Sequence, residues 1–177
     1  MTPIKILFAT LGAVLLGGCH VVRQNELVGT AAKDFEVQTL QSSNLTATLS
    51  SMKGKVVLLD FWATTCGPCR MLNPALDELY DKYSDKGLEA MAISDEPRDL
   101  VQNFMTRTPH RIPVYLDPNE VAHLQYDIKG MPTVVVIGRD GLVTHVALGV
   151  ARGDVAAEKA KLEAAIVEAL AKPSARA

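Results

Sequence analysis

Cysteine is scarce in this chain. There are 3 among 177 residues, Cys19, Cys66 and Cys69, too few for a disulfide-stapled scaffold and short of the four ligands that a structural zinc site takes. The histidines, His20, His110, His123 and His145, are scattered singly and make no ligand pair at short spacing. Positive charge is not in excess either: 18 Lys and Arg stand against 20 Asp and Glu, with no basic cluster. That balance argues against a nucleic-acid partner, whose phosphates demand concentrated positive charge. Internal repeats and long low-complexity tracts are missing, which excludes solenoids and leaves one domain's length of ordinary globular sequence. The N-terminal apolar run, Ile6 to Leu16, is shorter than the ~20 residues a helix needs to cross a bilayer.

That run has another use. Lys5 gives it a basic start, and it ends in Leu16-Gly17-Gly18-Cys19. A basic start, a short apolar core and small residues before a boundary form a secretory signal peptide. The last four residues resemble the lipobox of bacterial lipoproteins, in which the cysteine is lipidated and becomes the first residue of the mature chain. An ordinary signal peptide with an incidental cysteine, or an uncleaved anchor, is the plainer alternative. Lipidation of Cys19 also accounts for the odd cysteine, and several acyl chains would hold a folded domain firmly on a membrane surface. The expected division is a signal peptide over 1–18, a lipid-anchored tether over 19–32, a folded domain over 33–171 and a disordered tail over 172–177. Removing residues 1–18 leaves 17 basic against 20 acidic side chains.

The two remaining cysteines carry the chemistry. Cys66-Gly67-Pro68-Cys69 follows the apolar run Val56 to Ala63, which has the character of a buried strand, and precedes an amphipathic segment. At a strand-to-helix junction the first thiol lies beside unpaired helix N–H groups and the positive end of the helix dipole. That field favours the thiolate, the form that attacks a disulfide. The second thiol is close enough to resolve the mixed disulfide that results. Half of a zinc site is excluded by the missing ligands. A purely structural disulfide would close so short a loop that it would constrain the unfolded chain little.

Elements alternate along the rest of the chain. Phe35 to Leu40 alternates apolar and polar like a half-buried strand, Gln41 to Asn44 is a turn, and Leu45 to Leu49 returns as its partner. Met71, Leu72, Ala75, Leu76, Leu79 and Tyr80 recur at helical spacing, with Pro74 predicting a kink and Lys86-Gly87 an end. Leu88 to Ser94 is a strand, Pro97 opens a helix to about Arg107, and Ile112 to Leu116 is a short strand. Asp117-Pro118-Asn119 caps a helix ending near Tyr126. Thr133 to Ile137 and Leu142 to Leu148 form a hairpin around Arg139-Asp140-Gly141. Asp154 caps a last helix with Val155, Leu162, Ile166 and Leu170 on one face, stopped by Pro173. The order predicts a three-layer α/β fold with a central mixed sheet.

With these pieces placed, the stretch from Phe35 to Leu170 resembles thioredoxin-fold thiol–disulfide oxidoreductases of the TlpA/ResA kind. The resemblance rests on Gly54 to Thr64, the Cys66–Cys69 motif, Pro74 five residues on, Gly130-Met131-Pro132-Thr133, and Gly149 after the hairpin. It implies a thioredoxin-like sheet with an added N-terminal β-hairpin and an inserted helix–strand block, here Pro97 to Leu116. Three departures stand out. Thr65 replaces the tryptophan that usually precedes the first cysteine, and Leu72 replaces a glutamate frequent in the ResA-like group. Asp60 occupies the position of thioredoxin's buried acid, yet Leu88 to Ser94 contains no lysine to partner it.

The resemblance implies Cys66 as nucleophile, Cys69 as resolving thiol and Asp60 as proton acceptor for Cys69. A strand-end acid bonded to backbone or water is the plainer reading of Asp60. It places a cis Pro132 against the cysteines, with Met131, Trp62, Gly67 and Pro68 at the substrate-binding surface; a core role for Trp62 is the alternative. No cofactor beyond the dithiol and no metal site is expected. A peroxiredoxin-like peroxidase would need Pro and Thr where Leu59 and Ala63 stand. A copper chaperone of the same fold would need wider cysteine spacing and a histidine, for which His145 is the one late candidate. The expected protein is a monomer in the bacterial envelope, lipid-anchored and facing the periplasm or extracytoplasmic space. Its substrates would be disulfides of envelope proteins and its electrons would come from a membrane donor. The Gly-Pro pair between the thiols resembles reducing thioredoxins.

Overall fold

Strand β3 (Val56–Phe61) is buried along its whole length, because layers cover both faces of the sheet at its position. Its β-branched and leucine side chains therefore run without polar alternation, as central strands of covered sheets do. The computed structural model describes residues 24–150 and 154–173. The other elements are β1 (Glu36–Thr39), β2 (Thr46–Thr48), α1 (Gly67–Tyr83), β4 (Leu88–Ser94), α2 (Arg98–Arg107) and β5 (Val114–Leu116). After these come α3 (Val121–Gln125), β6 (Thr133–Ile137), β7 (Val143–Leu148) and α4 (Val155–Ala171). They build a 7-stranded sheet in the order β2-β1-β5-β4-β3-β6-β7. β3, β4 and β5 are parallel, while β6, β7 and the β1–β2 hairpin run antiparallel.

The period of two along β3 sorts the core into two halves. Val56, Leu58 and Trp62 pack with Leu72, Leu76 and Leu79 of α1, Val101 and Phe104 of α2, and Leu162 and Ile166 of α4. Val57, Leu59 and Phe61 pack on the opposite face with Ala122, Tyr126 and Phe35. Asp60 falls on the α1 side by parity, in register with Ala92 of β4 and Val134 of β6. Fully burying a leucine or phenylalanine contributes roughly 1.5–3 kcal/mol, so these two layers dominate the stability of the fold.

Local chemistry ends the elements where side chains permit. Helix α1 runs unbroken through Pro74, and Gly87, at φ 101°, turns the chain out of the 3₁₀ turn that follows it. Asp154 accepts a hydrogen bond from the Ala157 N–H at 2.9 Å and caps α4, an interaction worth ~1 kcal/mol. β5 starts at Val114, two residues later than expected; Pro113 has no N–H to donate to a ladder. The N-terminal hairpin is fastened to the inserted block by Arg98, whose guanidinium donates to the carbonyls of Thr39 and Leu40 and to Gln38.

The expected tether over 19–32 needs correction in its described part. Gln24–Leu27 forms a 3₁₀ turn, and the next residues pair with the start of β7. Gly29 donates to the Val143 carbonyl at 2.8 Å, Val143 to Thr30 at 2.9 Å, and Ala32 to Gly141 at 2.8 Å. Backbone pairing, with only Leu27 and Ala32 packed against the core, leaves no side-chain periodicity. The signal peptide over 1–18, Cys19 and the end of the tail lie outside the described residues.

Candidate functional site

The site forms where β3 ends and α1 begins. Cys66 is the N-cap of α1, with Pro68 in the first turn where its missing N–H costs nothing. The Cys66 sulfur accepts a hydrogen bond from the Cys69 N–H at 3.2 Å. The two cysteines are joined in a disulfide, S–S 2.05 Å. They are not equivalent: Cys66 is half-buried at the surface, whereas Cys69 is 0 % exposed and packs with Trp62 and Leu72. The helix terminus aims its N–H groups at Cys66, so on reduction the accessible sulfur is also the one whose thiolate is favoured.

Beside Cys66 lies a groove of about 560 Å³. One wall is the β3–α1 loop, with Thr65, Cys66 and Pro68; the other is the α3–β6 loop, from Ile128 to Met131. Asp95, Glu120 and His123 complete it. The Met131–Pro132 bond is cis, and Pro132 is buried behind the loop, its carbonyl accepting the Gly149 N–H at 2.8 Å. Pro68 and Met131 thus line the groove, while Gly67 and Pro132 shape its walls without lining it. A smaller cavity of 340 Å³ at the other end of the sheet, near Leu49 to Lys55 and the β6–β7 turn, contains no cysteine or histidine.

Trp62 is not at the substrate surface. It is 0 % exposed, its ring 5.4 Å from Phe104 and 5.3 Å from His110, so it supports Cys69 from behind. The parity of β3 turns it inward together with Asp60. Asp60 is 1 % exposed, and one of its carboxylate oxygens has no hydrogen-bond partner. Burial pushes its carboxyl up to about 7, with the His110 charge opposing and the Asp77 charge adding to the rise. His145 does not line the groove, and burial holds its imidazole below the usual range, with the Glu158 charge opposing and the Lys161 charge adding to the fall. Among the described residues no group of three or more His, Cys, Asp or Glu side chains lies together as a metal site would need.

Three groups at the site were not anticipated. Glu96, just past β4, clamps the loop before the cysteines, accepting from the Thr64 N–H at 2.6 Å and the Thr64 hydroxyl at 2.8 Å. Its position at the carboxyl end of a parallel strand, where α/β sites gather, was the available signal. His123 is oriented by Asp117, Nδ1 to carboxylate 2.8 Å, with its edge on the Phe61 ring. Burial works against the Asp117 carboxylate, but hydrogen bonds from His123 and Val121 outweigh it and hold the carboxyl below its usual range. Asn73 and Asp77 follow Cys69 at i+4 and i+8 on α1, and His110 sits against both. Two polar positions on an otherwise apolar helix stripe were the signal there; His110 itself offered none.

Known proteins agree with this geometry. The family model described as Redoxin matches residues 27–166. The thiol-disulfide oxidoreductase ResA of Bacillus thuringiensis (strain Al Hakam) is 32% identical over 145 residues, 81% of this chain and 83% of that protein. ResA of Oceanobacillus iheyensis is 35% identical over 125 residues, covering 69% and 65% of the two chains. A crystal structure of a thiol:disulfide interchange protein of the thioredoxin family from Chlorobium tepidum TLS superposes with TM-score 0.67 at 27% identity, over 80% of this chain and 97% of that one. The cysteine pair at the head of α1, the covered mixed sheet and these relatives agree: the chain belongs to the Redoxin family, as a thioredoxin-fold thiol–disulfide oxidoreductase of the ResA-like kind.

Proposed function

We propose that this protein reduces disulfides of envelope proteins while held to a membrane through Cys19. The asymmetry of the pair carries the reading: Cys66 half-exposed at a helix terminus in a groove, Cys69 0 % exposed behind it. In the reduced protein the Cys66 thiolate attacks a client disulfide, forming a Cys66–client bond and expelling the other client sulfur as thiolate. Cys69 then gives its proton to Asp60 and attacks the Cys66 sulfur. The Cys66–client bond breaks, the second client thiolate leaves, and the 66–69 disulfide closes, two electrons having passed to the client. An extended client segment lies along Met131 with Pro68 opposite. No cofactor is required beyond the dithiol, and a membrane thiol donor returns the two electrons. The Gly-Pro pair between the thiols favours this direction over oxidation.

Iodoacetamide with the reduced domain tests the roles. Cys66 is expected to be alkylated well before Cys69, Cys66→Ser to abolish reduction, and Cys69→Ser to accumulate mixed disulfides with clients. Preferential labelling of Cys69 would reverse the assignment. Equilibration against a dithiothreitol series tests the direction: a potential as oxidising as that of the strong oxidant DsbA, about −120 mV, would overturn the reductase reading.

A further inference from the structure

The end of the sheet away from the cysteines carries a feature that dithiol chemistry does not use. The cavity of 340 Å³ lies there, between the β2–β3 connection and the β6–β7 turn. Its walls are apolar where they reach into the domain: Leu49, Val57 and Ile137 are buried core residues, and Met52 is half-buried beside them. Its rim is charged. Lys53 and Lys55, exposed on either side of Gly54, line it together with Arg139, whose guanidinium donates to the Lys86 carbonyl at 3.1 Å. Neither Lys53 nor Lys55 makes an ion pair among the described residues. Two carboxylates also line the cavity, and backbone engages both: Asp34 accepts the Ser50 N–H at 2.8 Å and Asp140 the Leu142 N–H at 3.1 Å. Three cations against two acids reverse the balance of the whole chain. The N-terminal segment borders the same cavity, through Ala32 and its bond to the Gly141 carbonyl. Cys19 precedes Gln24, the first described residue, by a stretch of backbone that spans at most ~18 Å.

We propose that this cavity is a lipid site: one acyl chain of an anionic phospholipid enters between Leu49, Met52, Val57 and Ile137, while Lys53, Lys55 and Arg139 hold its phosphate. An apolar pocket with a cationic mouth is complementary to an amphiphile with an anionic head. A free phosphate would leave the apolar walls empty, and an uncharged chain would leave the cations unused; only the combined ligand satisfies both halves of the site. The volume stands at the low end of the range for small-molecule sites, which suits a single chain. Exposed lysines at this end are also drawn to the negative surface of an anionic leaflet. Seated on such a lipid, the domain holds the Cys66 end of β3 away from the bilayer, because Val57 and Ile137 stand at the opposite end of the strand pair from Phe61. The placement at a bilayer rests on the reading of Cys19 as the lipid anchor. The affinity of the cavity for the lipid does not, and the two are tested apart.

The probe is dihexanoyl-phosphatidylglycerol, added to the protein as a monomer in solution, with dihexanoyl-phosphatidylcholine and glycerol phosphate as controls. Lysine acetylation read by mass spectrometry should show Lys53 and Lys55 protected saturably by the glycerol lipid, and Lys82 unaffected. Lys53→Gln and Lys55→Gln should each weaken binding by about fivefold. Shortening the chains to butanoyl should weaken it by ~15-fold, two methylenes of the bound chain at about fourfold each. Reduction of a soluble disulfide by the two variants should match the wild type, since neither lysine lies near the groove. Protection equal with the choline lipid, glycerol phosphate binding as well as the lipid, indifference to chain length, or no protection at all overturns the proposal. The same footprint on protein reconstituted into nanodiscs, with and without long-chain phosphatidylglycerol, should again protect Lys53 and Lys55 only where the anionic lipid is present. If the short-chain lipid binds as expected but the protein stays out of nanodiscs, the lipid site stands and it is the Cys19 anchor that fails.

Discussion

Asp60→Asn should stabilise the oxidised domain, and increasingly so as pH rises. Asp60 is 1 % exposed with an unpartnered carboxylate oxygen, and its carboxyl is pushed from 3.8 to about 7 by burial, against the opposing charge of His110. Between those two values the folded chain holds a proton that the unfolded chain has released. Wild-type stability therefore falls as pH rises through that window and levels off above it. At 1.36 kcal/mol per unit, the span from 3.8 to about 7 corresponds to about 4 kcal/mol, an upper bound because the fold relaxes around a buried charge. An asparagine there has nothing to titrate. Urea titrations of the oxidised domain from pH 4 to 8.5 should give curves for wild type and variant that diverge by up to this amount. Parallel curves would mean that Asp60 ionises as freely in the fold as outside it, and the account of its burial would be wrong. In the reduced protein the same substitution should slow resolution by Cys69 by ~10²–10⁴-fold while sparing the first attack by Cys66.

Glu96→Ala removes the carboxylate that holds both polar groups of Thr64 and the Ser94 hydroxyl. It should cost about 1–3 kcal/mol in denaturant unfolding and accelerate amide exchange at Thr64, with Glu96→Gln intermediate. Cys19→Ser should release the protein from membranes or leave an unprocessed precursor, read by fractionation and mass spectrometry. A variant processed and fractionating like wild type would refute the lipid anchor.

The sheet was largely legible because its signals are local. Thr133 to Ile137 is a run of β-branched residues, Arg139-Asp140-Gly141 marks a turn, and Asp154 precedes an apolar stripe; each became the expected element. The cysteine pair announced itself through spacing alone. What surrounds it did not. His110 meets Asn73 across 37 positions of sequence, and Glu96 meets Thr64 across 32. Such polar contacts are made by tertiary packing, and no periodicity in either segment encodes the partner. Trp62 illustrates the opposite error: an aromatic beside a reactive motif suggests a contact surface, but strand parity settles its direction. Residues 24–32 were misjudged for a third reason, since a segment that pairs through its backbone needs no side-chain pattern.

That paired segment fixes where the chain enters the domain. Gly29 to Ala32 fasten to Gly141 and Val143, next to the turn after β6. Phe61 pairs with Thr133 at the cysteine end of β3, and Val57 with Ile137 at the other. Six strand residues at ~3.3 Å apiece put ~20 Å between this pairing and the reactive end. The domain therefore has a heel and a toe. With the lipid anchor proposed at Cys19, a pull on the chain would load the hydrogen bonds of Gly29 and Ala32 to the hairpin before it reached the sulfurs, and would leave the Cys66 end of the sheet facing outward to a client's disulfide.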